Sequence, residues 1–201
     1  SHSLKGTIRN YFRDKNPDPS SKGIDGIQAS VLDTFIKSTA GSCVMTYILA
    51  IGDRHLDNIL VTENGQLFHL DFGFVFGKDP KPYPSPFRLT REMAVGIGGE
   101  NYQTSENFGR FKSYCYQAYN WLRKSSNLIM NLLSLMDERG IICDDKPMAI
   151  PEVLAVVEER LMLDLTDEEA ETHFSALIEG AINALAPKIV EVMHIIRMKM
   201  K

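Results

Sequence analysis

Residues 59–70 constrain this chain more than any other stretch. Ile59-Leu60-Val61-Thr62 and Gln66-Leu67-Phe68-His69-Leu70 are short β-type runs, and Glu63-Asn64-Gly65 stands between them. Asn-Gly between two apolar runs predicts a tight hairpin, because both turn residues tolerate positive φ. A hairpin returns the chain to its starting end. Whatever precedes Ile59 therefore lies beside whatever follows Leu70. Those flanks are Gly52-Asp53-Arg54-His55-Leu56-Asp57-Asn58 and Asp71-Phe72-Gly73, so two acid-bearing loops are expected side by side.

Elsewhere the period is helical. Leu4, Ile8, Tyr11 and Phe12 predict a short helix before the breaker-rich stretch Asn16 to Gly26. Val31, Phe35, Thr39, Val44, Ile48 and Ile51 predict a long, mostly buried helix from about Ala29 to Ile51, in which Gly41 reads as a point of close packing. Pro80, Pro82, Pro84 and Pro86 alternate through Lys78 to Arg88 and predict a stiff, extended, exposed segment. After Gly99 the expectation is helix over Phe108 to Arg123, Ser126 to Arg139, Pro151 to Leu163, and Thr166 to about Met200. Thr166-Asp167-Glu168-Glu169 is a capping-box start for the last of these. Eight acids face one base, Arg160, between Glu152 and Glu171, most simply a solvated face.

The composition excludes several classes. At 201 residues and 44% hydrophobic the chain can bury one core, so a single domain is expected. A net charge of −4 gives no whole-chain attraction to nucleic acid or anionic membrane, and no nucleic-acid partner is expected. Cys43, Cys115 and Cys143 are odd in number and widely spaced, which fits a reducing cytosol and neither a disulfide framework nor a zinc site. No apolar run approaches the roughly 18 residues of a membrane span.

The paired loops carry a specific chemistry. Phosphoryl transfer needs metal ions bridging the phosphates, a residue at the attacking hydroxyl, and donors for developing charge. In protein kinases the catalytic-loop Asp is followed five positions later by a metal-binding Asn, and a downstream Asp-Phe-Gly supplies the other ligand. Asp53 and Asn58 stand at that step, and Asp71-Phe72-Gly73 follows across the hairpin. Either motif alone is weak; both in order around an Asn-Gly turn are strong. Taken singly, a loop Asp or His reads as surface decoration or a helix cap, and Leu60 and Leu70 as ordinary core.

The letter order sharpens the class. Protein kinases place His before Arg-Asp, whereas Asp53-Arg54-His55 resembles the phosphatidylinositol 3- and 4-kinase superfamily, including its large protein-kinase members. Ile8-Arg9-Asn10-Tyr11-Phe12-Arg13, Gly52 to Leu60, Phe68 to Gly73 and Gly77-Lys78-Asp79-Pro80-Lys81-Pro82 resemble the class III phosphatidylinositol 3-kinases of vacuolar sorting and autophagy, almost continuously from Thr7 to the C-terminus. The resemblance implies a mainly α fold with a small β-hairpin, the C-terminal lobe of a protein-kinase-like catalytic domain. It implies one domain over 1–201, with catalytic loop 52–58, hairpin 59–70, metal motif 71–73, activation loop 72–88 and a helical remainder 89–201. It further implies ATP with Mg²⁺ or Mn²⁺ held by Asn58 and Asp71, and an adenine pocket floored by Leu60 and Leu70. His55 would accept or orient the proton of the inositol 3-hydroxyl; Asp53 is the alternative base, and both remain open. Arg54 is expected to be a structural cation pairing with a carboxylate, His69 to be structural rather than catalytic, and Gly73 to belong to the metal motif.

The activation loop bears on the substrate. Inositol rings carrying further phosphates want a cluster of Lys and Arg. This loop offers only Lys78, Lys81 and Arg88, with Asp79 opposing them, so plain phosphatidylinositol is the expected acceptor. Lys188, Arg197, Lys199 and Lys201 on an apolar terminal helix allow an interfacial helix or a core-packed one with a basic end. The resemblance also implies peripheral residence on endosomal or autophagic membranes, a protein-kinase-like regulatory subunit and a coiled-coil adaptor. No Gly-rich phosphate loop or phosphate-binding Lys precedes the catalytic loop. The expectation is a C-lobe without its N-lobe, binding ATP weakly alone. A 4-kinase, a related protein kinase, or a non-catalytic scaffold are the competing readings.

Overall fold

A computed structural model describes residues 8–18, 20, 26–81, 85–136, 142–143 and 146–199, without the side chains of 142, 143, 146 and 184–199. Helix α1 (Ile8–Lys15) leads to α2 (Ala29–Ile48), and strands β1 (Ile59–Val61) and β2 (Leu67–His69) follow. Next come α3 (Arg91–Gly98), α4 (Glu106–Lys124), α5 (Ser126–Ser134), a two-residue ladder of β3 (Ile142–Cys143) and β4 (Lys146–Pro147), α6 (Ile150–Leu161) and α7 (Asp167–Lys199).

Helix α2 is the axis of the core because it is apolar on nearly every side. Phe35, Ile36, Ala40, Cys43, Val44 and Tyr47 are buried, as are Phe108, Phe111, Cys115 and Tyr119 of α4 and Phe174 and Ile178 of α7. Aromatic edges lock these layers: Phe12 meets Phe35 at 5.2 Å, Tyr47 meets Phe174 at 5.4 Å, and Tyr119 lies 4.6 Å from Phe174. Such pairs add about 0.5–1.5 kcal/mol each beyond area burial. Gly41 does not mark close packing: a Cβ there would meet nothing within 4 Å, and the position is exposed.

The hairpin is antiparallel, with Ile59 opposite His69, Leu60 opposite Phe68 and Val61 opposite Leu67. Its turn differs from the two-residue expectation. The Gly65 amide bonds the Thr62 carbonyl, Thr62 and Gln66 close the loop, and only Gly65 takes positive φ, at 87°. Gly is required there twice over, since a Cβ would stand 2.2 Å from the Val31 carbonyl oxygen. That approach, with the Leu67 amide donating to Ser38 Oγ at 2.9 Å, docks the turn on the first half of α2. The open end of the hairpin is thereby held near the residues that leave α2.

Two elements go unnamed by the periodicity. Helix α3 falls inside the helical remainder 89–201 but before Gly99, where no periodic pattern picks it out; Thr90 caps it by accepting from the Met93 amide. The short β3–β4 ladder is the other. The capping box forms as expected, with Thr166 N–H donating to Glu169 at 2.9 Å and Glu169 N–H to Thr166 Oγ1 at 3.3 Å. All eight acids between Glu152 and Glu171 are exposed, as a solvated face requires.

Candidate functional site

The chain leaves α2 through a turn and immediately meets the segment after Asp71. Gly52 N–H donates to the Phe74 carbonyl at 2.8 Å, Phe76 N–H to Leu49 at 3.0 Å, and Gly77 N–H to Ala50 at 3.0 Å. Residues 49–52 and 74–77 thus run alongside each other. On the other side of the site, Leu70 N–H donates to the Asn58 carbonyl at 2.9 Å. The hairpin so brings Asn58 one residue away from being opposite Asp71, as the flanking of an Asn-Gly turn predicts.

Arg54 fastens this junction. Its residue is 7% exposed, and its guanidinium donates to the carbonyls of Gly52 at 2.7 Å, Leu70 at 2.8 Å and Asp71. The plane also lies 5.5 Å from the Phe72 ring. The expected carboxylate pair is absent among the described residues: the fork goes to backbone. The reason is local, because carbonyls at the end of a three-residue strand have no ladder partner, and only a planar five-donor group spans several of them. Burial lowers the Arg54 pKa, while the Asp71 and Asp53 carboxylates oppose that loss.

Asp53 and Asp71 both adopt left-handed backbone, at φ 48° and 57°. Non-glycine residues there are held by their surroundings. Asn58 Nδ2 donates to the Asp53 carbonyl at 3.0 Å, which leaves its amide oxygen as the free donor atom. Asp71 Oδ1 accepts from Gly73 N–H at 2.9 Å, and a Cβ on Gly73 would crowd that oxygen at 3.2 Å. One amide oxygen and one carboxylate suit a hard divalent cation. No cluster of three or more His, Cys, Asp or Glu side chains is placed to hold a metal among the described residues.

His55 stands between two carboxylates. Its Nε2 is 3.6 Å from Asp53 Oδ2 and its Nδ1 is 3.7 Å from Asp57 Oδ2, both longer than a hydrogen bond. The imidazole side chain is 40% exposed and that of Asp53 is 24% exposed, so both are open to solvent. His69 points the other way: it is buried, neither ring nitrogen has a partner, and burial with the nearby Arg54 charge pulls its pKa down to about 4.

The outer face of the hairpin is apolar and uncovered. Leu56, Leu60, Phe68, Leu70 and Phe72 are each 39–48% exposed. Leu60 and Leu70 are therefore not core, and Phe68 and Phe72 join them; the period-2 alternation with buried Leu67 and His69 was the signal that could have found Phe68.

Among the described residues of the proline-rich segment, Lys78, Pro80, Lys81, Ser85 and Pro86 are exposed as expected, while Phe87 turns inward, its ring 5.3 Å from that of Phe174. Arg88 is not a free headgroup cation: it pairs with Asp79 at 2.5 Å, both side chains being largely buried. Lys78 and Lys81 remain exposed. Residues 82–84 and the side chains of Lys188, Arg197, Lys199 and Lys201 lie outside the described residues. Among those described, no helix is long and apolar enough to cross a membrane.

Comparison with known proteins agrees with this geometry. The family profile "Phosphatidylinositol 3- and 4-kinase" matches residues 1–145. The chain is 47% identical over 188 residues to "Phosphatidylinositol 3-kinase VPS34" of Arabidopsis thaliana, covering 94% of this chain and 22% of the relative. It is 48% identical over 190 residues to a root-isoform phosphatidylinositol 3-kinase of Glycine max, covering 94% and 22%. It is 40% identical over 193 residues to the VPS34 of Saccharomyces cerevisiae, covering 96% and 21%. The chain thus spans about a fifth of the length of these curated relatives. A hairpin that sets an Asp-Arg-His loop beside Asp-Phe-Gly, under a matching profile, makes this chain a member of the phosphatidylinositol 3- and 4-kinase family.

Proposed function

We propose that the polypeptide carrying this chain transfers the γ-phosphate of ATP to the 3-hydroxyl of phosphatidylinositol, giving phosphatidylinositol 3-phosphate. The observation that carries this reading is the junction at the open end of the hairpin. There Asp53, His55, Asn58 and Asp71 come together on backbone that Arg54 holds. The relatives' shared name, phosphatidylinositol 3-kinase, supports the lipid and the ring position.

In this reading His55 or Asp53 takes or orients the proton of the attacking hydroxyl. Asn58 and Asp71 hold the divalent cation, Mg²⁺ or Mn²⁺, which when bound neutralises charge on the β- and γ-phosphates. Leu60 and Leu70 floor the adenine pocket, a role their exposed apolar surface favours. Lys78 and Lys81 meet the headgroup. With Arg88 already engaged, the loop has still less charge for a phosphorylated ring than its sequence offers. The enzyme works peripherally at endosomal or autophagic membranes, with a protein-kinase-like subunit and a coiled-coil adaptor.

The test is a lipid-kinase assay on the longer polypeptide with phosphatidylinositol vesicles. Asp71→Asn and His55→Gln should each lower turnover by at least about 100-fold, the range of a lost metal ligand or general base. Full activity in both variants would reject the assigned site.

A further inference from the structure

We propose that Asp79 is a positioning residue for the catalytic loop, closing the activation loop onto Asp53 through a single buried carboxylate braced by Arg88. The inference rests on the kinase reading above and assigns the acid of the Lys78-Asp79-Pro80-Lys81 turn a task distinct from headgroup contact.

The carboxylate is used at both oxygens. Asp79 Oδ2 accepts from Asp53 N–H at 3.1 Å and from Arg88 Nη2 at 2.5 Å, while Oδ1 accepts from Lys81 N–H at 2.8 Å. Its side chain is 4% exposed and that of Arg88 is 15% exposed. An ionised carboxylate this buried is tolerated only when it is paired and hydrogen-bonded. Arg88 supplies the counter-charge, and the two amides supply the remaining bonds.

The partner amide is the informative one. Asp53 sits at φ 48°, a left-handed conformation in which a non-glycine residue is held by its surroundings. Two contacts hold it there: Asp79 on its N–H, and Asn58 Nδ2 on its carbonyl at 3.0 Å. Asp79 therefore acts upstream of the groups that do chemistry, because the orientation of Asp53 fixes where Asn58 and His55 stand. Gly52 makes the approach possible. A Cβ at that position would lie 2.2 Å from the Lys78 carbonyl and 3.0 Å from Asp79 Oδ2, so the catalytic loop enters with no side chain between itself and the activation loop.

The Oδ1 bond to Lys81 N–H shapes the Asp79-Pro80-Lys81 turn and leaves Lys78 and Lys81 exposed on its outside. One carboxylate thus orients the acceptor-facing turn and the hydroxyl-facing loop together.

The test uses the full-length polypeptide and four variants: Asp79→Asn, Arg88→Gln, Arg88→Lys and the double variant Asp79→Asn with Arg88→Gln. Asp79→Asn keeps the shape and one acceptor but loses the charge. It should lower kcat on phosphatidylinositol vesicles at least about tenfold, with KM for lipid and for Mg-ATP changed less than about twofold. Arg88→Gln should do the same, Arg88→Lys should restore most of the loss, and the double variant should be no worse than either single one, as coupled partners require. Amide hydrogen exchange over residues 49–56 should quicken in Asp79→Asn, whether or not the protein turns over lipid. An inactive wild type with quickened exchange would sink the kinase reading and leave the positioning intact. An active wild type with unchanged kcat in Asp79→Asn would overturn the positioning role, as would a raised lipid KM at unchanged kcat. If Asp79→Asn does not fold, Arg88→Gln against Arg88→Lys decides: equal kcat in the two would overturn the proposal.

Discussion

Replacing Arg54 with alanine should cost about 4 kcal/mol of stability, and the figure follows from three carbonyls. A hydrogen bond to a charged donor contributes about 1.5–3 kcal/mol, and a buried acceptor left unpaired costs about 1–3 kcal/mol. The Gly52 carbonyl belongs to a buried residue and would lose about 2 kcal/mol. Leu70 and Asp71 are exposed residues whose oxygens water can reach, so about 1 kcal/mol each is the expected loss. Arg54→Lys keeps the charge but offers a point donor in place of a planar fork, reaching one carbonyl of the three, so its cost should be about half as great. Urea denaturation of wild type and both variants reads the difference from the midpoint at constant slope. A loss below about 0.5 kcal/mol in Arg54→Ala would refute the idea that this side chain fastens the two loops.

Other consequences can be checked the same way. His69 is held neutral with its pKa at about 4 against an ordinary 6.5. The unfolded chain binds the proton first, so stability is intact above pH 6.5 and falls as pH drops toward 4, by up to about 3 kcal/mol. His173, also lowered by burial, adds in the same direction. His69→Asn should flatten that slope in denaturation midpoints measured from pH 7 to 4.5; an unchanged slope would count against the buried neutral imidazole. Gly65→Ala should cost at least about 2 kcal/mol, from left-handed strain and the contact with the Val31 carbonyl; thermal unfolding at the wild-type midpoint would contradict the turn geometry. Adding Lys and Arg at exposed positions of the 78–86 segment, with Asp79 and Arg88 kept, should extend activity to phosphorylated inositides, and unchanged selectivity would sink the sparse-charge argument.

The hairpin and the pairing of its flanks were legible because a period-2 run around Asn-Gly has few other solutions. The long helices were legible for the same kind of reason, as was the Thr166 capping box. What escaped the sequence is mostly tertiary. Helix α3 lies within the expected helical remainder, but its bounds escaped, because it begins soon after a proline-rich stretch and is an eight-residue element whose burial rather than propensity makes it helical. Arg54 reads as half of an ion pair because carboxylates crowd its neighbourhood in sequence. Its true partners are carbonyls that became orphaned only when the strands ended. Arg88 and Asp79 lie nine residues apart, and no local rule says that a loop cation will turn inward. The left-handed backbone of Asp53 and Asp71 is likewise invisible in a string of letters, yet it orients the whole site.

The position of the phosphate on the product tests the central claim most directly. The longer polypeptide should be incubated with labelled ATP and phosphatidylinositol vesicles, and the deacylated product separated against 3-, 4- and 5-phosphate standards. The account predicts label at the 3-position, lost in Asp71→Asn. Label at the 4-position, or on protein with none on lipid, would contradict it.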